Sequence, residues 1–363
     1  METSCWAFRD KLARNRPAQR ALRKALSMPS AKSETAQARP ERLTQPLADR
    51  TLQQPGTNGS PGLHRLDVPC GRTMKSLESR SRTSLNNILF ATDLSPAAEW
   101  ALPFALELAR RYRSKLYAVH VIQLEVSPAV DPSRQAKIAQ EQEESQNRAS
   151  QLLQEQFRDI PHEVIFERGE VWPTLSAVIR EKQAGLLVAS TNGRTGFGAP
   201  AFGSVAEEIF QQAPCPVLTV GPSVPSHRDT PVEVKRILYA TDFTFESVVA
   251  LHLAISLALE YGAQLILFHV MESADSNHEA AALQTLRDLV PFSVHLVPKP
   301  KYLVEQGDPP SCILKVASVE NANMIVLGLR STKGHFAAPS QPVRSTARKI
   351  AIAAACPVLT VRD

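Results

Sequence analysis

Five cysteines in 363 residues form no CxxC pair and no short framework, so a disulfide-stapled secreted module and a cysteine zinc site are both disfavoured. A reducing compartment is the expectation, with a cytoplasmic location. No run of 18 uninterrupted apolar residues occurs, which argues against a membrane span. The nearest approach, Val248 to Met271, contains His252, Glu260, Gly262 and Gln264 and reads as a helix, a turn and a strand. Glycine is scarce, 15 against 27 prolines, which points to a stretch of unfolded punctuation. No GxxxxGK[ST] occurs, and the one glycine-rich loop is not spaced as GxGxxG, so P-loop and dinucleotide readings are weak. SGGxDS, HIGH, KMSKS, HExxH and GxSxG are all missing.

The charge that is present is unevenly placed. Residues 1–84 hold 16 Lys+Arg against 7 Asp+Glu, and the remainder holds 25 against 29. The basic balance therefore belongs to the N-terminal tail, the rest is mildly acidic, and a nucleic-acid partner is not expected. Residues 30–84 have too little apolar surface to offset ordering entropy and read as disordered. Within residues 5–26, Trp6, Phe8, Leu12, Leu22 and Leu26 sit among seven basic residues. That pattern suits a short basic helix interrupted at Pro17, an organelle transit peptide, or a solvated tail.

Order is expected from Asn86. Asn87–Ala91 is an apolar run ending at Thr92-Asp93, and Pro96 to Arg111 carries a helical stripe with a kink expected at Pro103. Lys115–Val121 reads as a strand, 133–157 as a polar helix, His162–Phe166 as a strand and Trp172–Lys182 as a helix. Ala184–Ala189 is an unalternating apolar strand. A helix from Ser204 leads to a last strand, Pro216–Val220. Apolar strands alternating with helices specify a parallel sheet covered on both faces.

The series then repeats. Arg236–Asp242 matches Asn87–Asp93, Phe268-His-Val270 matches Val119-His-Val121, and Ala355–Val361 matches Pro214–Val220. The offset is 149 residues at the first strand and 141 at the last, so the second copy is shorter by a net eight, a loss assigned to its second helix. The organisation read from the chain is a basic tail (1–84), a first domain (85–221), a linker (222–233) and a second domain (234–363).

The strongest local signal is the loop Ser190-Thr-Asn192-Gly193-Arg194-Thr195-Gly196, continuing to Gly203-Ser204-Val205-Ala-Glu207. It follows a strand and opens a helix. Such a loop either aims backbone N–H groups and the positive helix end at an anion or is a plain strand–helix turn. Ser204-Val-Ala-Glu207 also reads as a capping box, a role compatible with an anion beside the hydroxyl. Asp93 ends the first strand, where it either accepts from a ligand's ribose or amine groups or caps the following helix. His120 and His269 sit on apolar strands and read as structural, and Cys215 and Cys356 as packed thiols.

Together these motifs resemble the universal stress protein family. The residues that carry the resemblance are Ile-Leu-Phe-Ala-Thr-Asp-Leu-Ser from Ile88, Val119-His-Val121, and Asn192-Gly-Arg-Thr-Gly196. Gly203-Ser-Val-Ala-Glu207 and Ala213-Pro-Cys-Pro-Val-Leu-Thr-Val220 complete the set. The family signature Gly-x2-Gly-x9-Gly-[Ser/Thr] fits Gly193, nine residues and Gly203-Ser204, with Ser190 in place of the first glycine. The resemblance implies two tandem doubly wound, Rossmann-like five-stranded α/β domains and an adenine nucleotide, ATP alone or with Mg2+, as ligand. It places adenine and ribose on Asp93 and the backbone of Ala91, Thr92 and Val121, and the phosphates on Ser190 to Gly196 with Gly203, Ser204 and Val205. It also implies pairing through last strands, satisfied internally by Pro216–Val220 against Pro357–Val361 as a pseudo-dimer, with a homodimer also open.

The second copy keeps Asp242 and Val270 but loses the motif. Gly328 answers to the first glycine, Ser331 replaces the second (or Gly334 answers to it), Arg344 stands where Gly203 stands, and Arg348 where Glu207 stands. Nucleotide is therefore expected mainly in the first domain. The expected function is a non-catalytic stress-response sensor acting on an unknown protein partner. The alternatives are a nucleotide-free scaffold and a slow ATP-hydrolysing or phosphotransfer enzyme.

Overall fold

The computed structural model describes residues 85–123, 132–191, 202–227, 230–271, 276–329 and 343–362. The expectations for residues 1–84 lie outside the described residues.

The first domain runs β1 (Asn87–Ala91), α1 (Ala98–Tyr112), β2 (Lys115–Ile122), α2 (Pro132–Gln156), β3 (His162–Arg168), α3 (Val171–Glu181), β4 (Leu186–Ser190), α4 (Ser204–Gln212) and β5 (Val217–Val220). The second runs β6 (Arg236–Thr241), α5 (Phe245–Tyr261), β7 (Gln264–Met271), α6 (Ser276–Leu289), β8 (Lys301–Gln306), α7 (Pro309–Val319), β9 (Met324–Leu329), α8 (Val343–Ala353) and β10 (Val358–Arg362). The stretch from Val248 to Met271 is a helix, a turn and a strand: α5 ends on Gly262 at φ 61°, a left-handed conformation that glycine adopts without penalty, and β7 follows at once. Among the described residues no helix is long and apolar enough to cross a membrane. The second copy's shortening falls in its second helix, 14 residues in α6 against 25 in α2.

All ten strands form one sheet in the order β3-β2-β1-β4-β5-β10-β9-β6-β7-β8. Each domain contributes five strands, parallel within the domain; β5 and β10 meet antiparallel and join the halves. The reason lies in their composition. Val217-Leu-Thr-Val220 and Val358-Leu-Thr-Val361 are apolar and buried, and as free edges they would expose unpaired backbone. The edges left at β3 and β8 carry charged residues instead, among them Glu163, Glu167, Arg168, Lys301 and Glu305.

Helices α1, α2, α5 and α6 cover one face of the sheet. Their buried side chains belong to a single cluster that crosses between domains, Leu85, Leu108 and Leu218 meeting Leu253, Leu257 and Leu359. On the other face α3 packs in the first domain and α7 and α8 in the second. Helix α4 is shared: Ile209 faces its own domain, while Ala206 and Phe210, with Phe202 just ahead of the helix, join the core of the second. Helix α1 continues through Pro103 to Tyr112.

Candidate functional site

Strands β1, β2 and β4 lie side by side and parallel, so their carboxyl ends share one edge. Helices leave β1 and β4 toward opposite faces, which opens a crevice between the two strand ends. Of the residues expected to bind nucleotide, Ala91, Thr92, Asp93, Val121, Ser190, Gly203, Ser204 and Val205 are brought to this edge. Asn192, Gly193, Arg194, Thr195 and Gly196 lie outside the described residues.

The β1 end is held as a rigid turn. Thr92 N–H donates to Val119 O at 3.0 Å, and Thr92 Oγ1 accepts from Leu94 N–H at 3.0 Å. Leu94 sits at φ 60°, in the left-handed region that a leucine seldom occupies, and this swings the chain from strand to helix. Asp93 Oδ1 accepts from Ser95 N–H at 3.0 Å, a turn two residues long, so Asp93 does not cap α1. Ser95 Oγ accepts from Ala98 N–H at 3.3 Å, ahead of the N-cap Ala97, which has no side-chain cap. Asp93 remains half-buried at the rim. His120 is buried with Nδ1 2.8 Å from Thr92 O, so the ring nitrogen that donates is spent on the turn.

The β4 end is organised by Thr191, a residue the sequence did not single out. It is fully buried, its N–H donates to Val220 O at 3.0 Å, and its carbonyl accepts from Gly203 N–H at 3.0 Å. The two ends of the intervening loop are thereby tied together. Gly203 is the N-cap of α4 at φ −64° and ψ 154°, an extended conformation open to any residue. No side chain caps the helix, so the capping box expected from Ser204 and Glu207 does not form. Ser204 is one residue too far along: it is already helical, and the first helical bond runs from Glu207 N–H to Gly203 O at 2.9 Å. The amides of Ser204, Val205 and Ala206 precede that bond, and a helix of nine residues aims its positive end out past them.

Glu207 turns the other way. Its Oε1 accepts from Gln211 Nε2 at 2.6 Å, and its Oε2 lies 2.8 Å from Arg348 Nε of the second domain, an ion pair rather than an aligned hydrogen bond. The Arg348 guanidinium also stands 5.7 Å from the Phe202 ring. Only the three-dimensional register brings these residues together across 141 positions, and no local pattern signals it.

The same edge in the second domain repeats the turn and not the cradle. Phe243 has φ 60°, Asp242 Oδ1 accepts from Thr244 N–H and Oγ1 at 3.1 and 2.6 Å, and His269 Nδ1 lies 2.8 Å from Thr241 O. Burial pushes the His269 imidazole below its ordinary value, against the raising effects of Thr241 O and Asp242. Gly328 is required by packing: a Cβ there would lie 2.5 Å from Glu246 O and from Ser247 Cα. Helix α5 starts at Phe245, two residues before Ser247, the counterpart of the first residue of α1, Ala98, and its first turn, at Glu246 and Ser247, presses on β9. Ser190 occupies the position matching Gly328 and escapes that pressure. Arg344 falls inside the first turn of α8, while Arg330 to Pro342 lie outside the described residues.

A family model, described as the universal stress protein family, matches residues 84–221 and 233–362. A universal stress protein of Methanocaldococcus jannaschii is 26% identical over 154 residues, which is 40% of this chain and 88% of that protein. One of Mycolicibacterium smegmatis is 34% identical over 140 residues, 37% of this chain and 45% of that protein. A crystal structure of a universal stress protein from Archaeoglobus fulgidus superposes with TM-score 0.59 at 19% identity, covering 77% of this chain and 99% of that one.

Proposed function

The chain belongs to the universal stress protein family, and from that membership we propose that its first domain is an adenine-nucleotide-binding module, taking ATP alone or with Mg2+, that signals without catalysing a reaction. The observation that carries this reading is the convergence, on one sheet edge, of the Asp93 carboxylate and the uncapped start of α4. The amides of Ser204, Val205 and Ala206 suit phosphate oxygens, which a helix N-terminus accepts readily. The Asp93 carboxylate stands half-buried at the rim of the same edge, and a carboxylate there suits a ribose hydroxyl. Gly203 serves by shaping the start of the helix, because its own N–H is taken by Thr191.

One observation supports a non-catalytic role. Cys215 and Cys356 are buried, which pushes both thiols up to about 12, far from a nucleophile's range. The second domain's edge keeps the turn but fills the neighbourhood of Gly328 with α5, consistent with nucleotide in the first domain alone.

Calorimetric titration of ATP into nucleotide-stripped full chain tests the reading. Wild type binds, Asp93→Ala abolishes binding, and Asp242→Ala leaves it intact. Absence of heat in the wild type overturns nucleotide binding altogether, and loss confined to Asp242→Ala moves the site to the second domain.

A further inference from the structure

The halves meet about a pseudo-twofold axis through the Leu218/Leu359 pair. An offset of 141 residues relates the contacts around it. Thr219 Oγ1 donates to Val358 O at 3.1 Å, and Thr360 Oγ1 donates to Val217 O at 3.3 Å, each bond the image of the other. A position near the axis therefore faces its own counterpart, as 207 faces 348. In a pairing of like with like, the same residue would face itself.

The central strands cannot choose between these pairings, because Val217-Leu-Thr-Val220 and Val358-Leu-Thr-Val361 are identical. Their flanks can, and there the halves differ in sense. Position 207/348 is Glu against Arg, at 2.8 Å. Position 221/362 is Gly against Arg: Arg362 Nη2 donates to Phe210 O at 2.7 Å, while a Cβ on Gly221 would lie 2.8 Å from Ala351 O, the counterpart of Phe210 O. On the other sheet face, the Arg111 guanidinium stands 4.6 Å from the Tyr261 ring, and the counterpart of Arg111, at the 149-residue offset of this region, is Glu260.

We propose that this surface is an interface cut for the opposite half of the same chain, one that selects the second domain and rejects a second copy of either. Pairing of two first domains would set Glu207 against Glu207 and forgo the Arg362 donor. Pairing of two second domains would set Arg348 against Arg348 and drive the Arg362 Cβ onto the Ala351 carbonyl. Like charges in register suppress wrong partners more than opposite charges strengthen right ones, and rejection of this kind is how identical strands acquire a preference.

Sedimentation velocity on three full chains tests this: wild type, the neutral pair Glu207→Gln with Arg348→Gln, and the reversed pair Glu207→Arg with Arg348→Glu. Each is unfolded and refolded at matched high concentration. The neutral pair loses both the attraction and the repulsion, and its two-chain fraction rises about three- to tenfold over wild type. The reversed pair restores complementarity and matches wild type. Any association through other surfaces is common to all three. A neutral pair indistinguishable from wild type overturns the proposal, as does a reversed pair that associates as much as the neutral one.

Discussion

Gly328 and Ser190 occupy matching positions at the ends of β9 and β4, yet only the first is compelled to be glycine. With backbone of α5 within 2.5 Å of a notional Cβ, neither neighbour is a flexible side-chain tip that can swing aside. Gly328→Ala is expected to destabilise the chain by about 1–3 kcal/mol, the range for forcing a group into packed structure, while Ser190→Gly changes stability little. Thermal unfolding of both checks it, and equal effects would contradict the packing account. His269 gives a second prediction. Its folded-state affinity for protons is depressed by burial, so the unfolded chain binds more protons, and stability is lost as pH falls from the ordinary histidine value of 6.5 through the lower folded value. His269→Gln should flatten that part of the stability profile; an unchanged slope would remove His269 as its source. The sequence showed Asp93 at the strand end but not its turn to Ser95, because an aspartate followed by serine and proline suits a cap and a turn equally. The capping box failed for a similar reason: Thr191 O holds Gly203 as the N-cap and pushes Ser204 one place into the helix.

At the scale of elements, the apolar strands and the amphipathic helices were legible because burial on both faces leaves near-continuous Val, Ile and Leu runs. The bounds follow, with β1 at Asn87–Ala91 and α2 ending at Gln156, one residue short of expectation. What periodicity could not convey is which face of α4 belongs to which domain, since an apolar stripe shows that a surface is buried and not against what. Helix α1 illustrates a tolerated conflict. Pro103 lies in its interior, lacks the N–H that would bond the Glu99 carbonyl, and the helix runs on to Tyr112. Pro103→Ala supplies the missing donor and is expected to raise stability by about 1–3 kcal/mol, reduced by a few tenths for the freer unfolded chain. A lower thermal midpoint would show that the ring packs well enough to outweigh the lost bond.

For the whole molecule, tandem duplication was visible in repeated motifs, and pairing of β5 with β10 followed from the family resemblance, while its antiparallel direction is seen in the structure. The merging of two domain cores was not visible, because each copy reads as a complete unit with its own strands and helices. In the structure one cluster runs under α1 and α5 across the axis, and Phe210 of α4, with Phe202 just ahead of that helix, enters the other domain's core. Separating the domains would expose Leu218, Leu359, Leu108 and Leu257 together, a loss neither half can recover alone. The two domains should therefore unfold as one cooperative unit. Cys215 and Cys356 report on the two halves independently, since both are buried with thiols raised to about 12 and lie in separate clusters. In a denaturant series with pulsed alkylation, both should become reactive at the same midpoint. Leu359→Ala, which opens a cavity at the axis, should lower stability by about 2–5 kcal/mol and move both midpoints equally. Two separate midpoints in the wild type, or a shift in Cys356 that leaves Cys215 behind, would show that the shared core does not bind the halves into one folding unit.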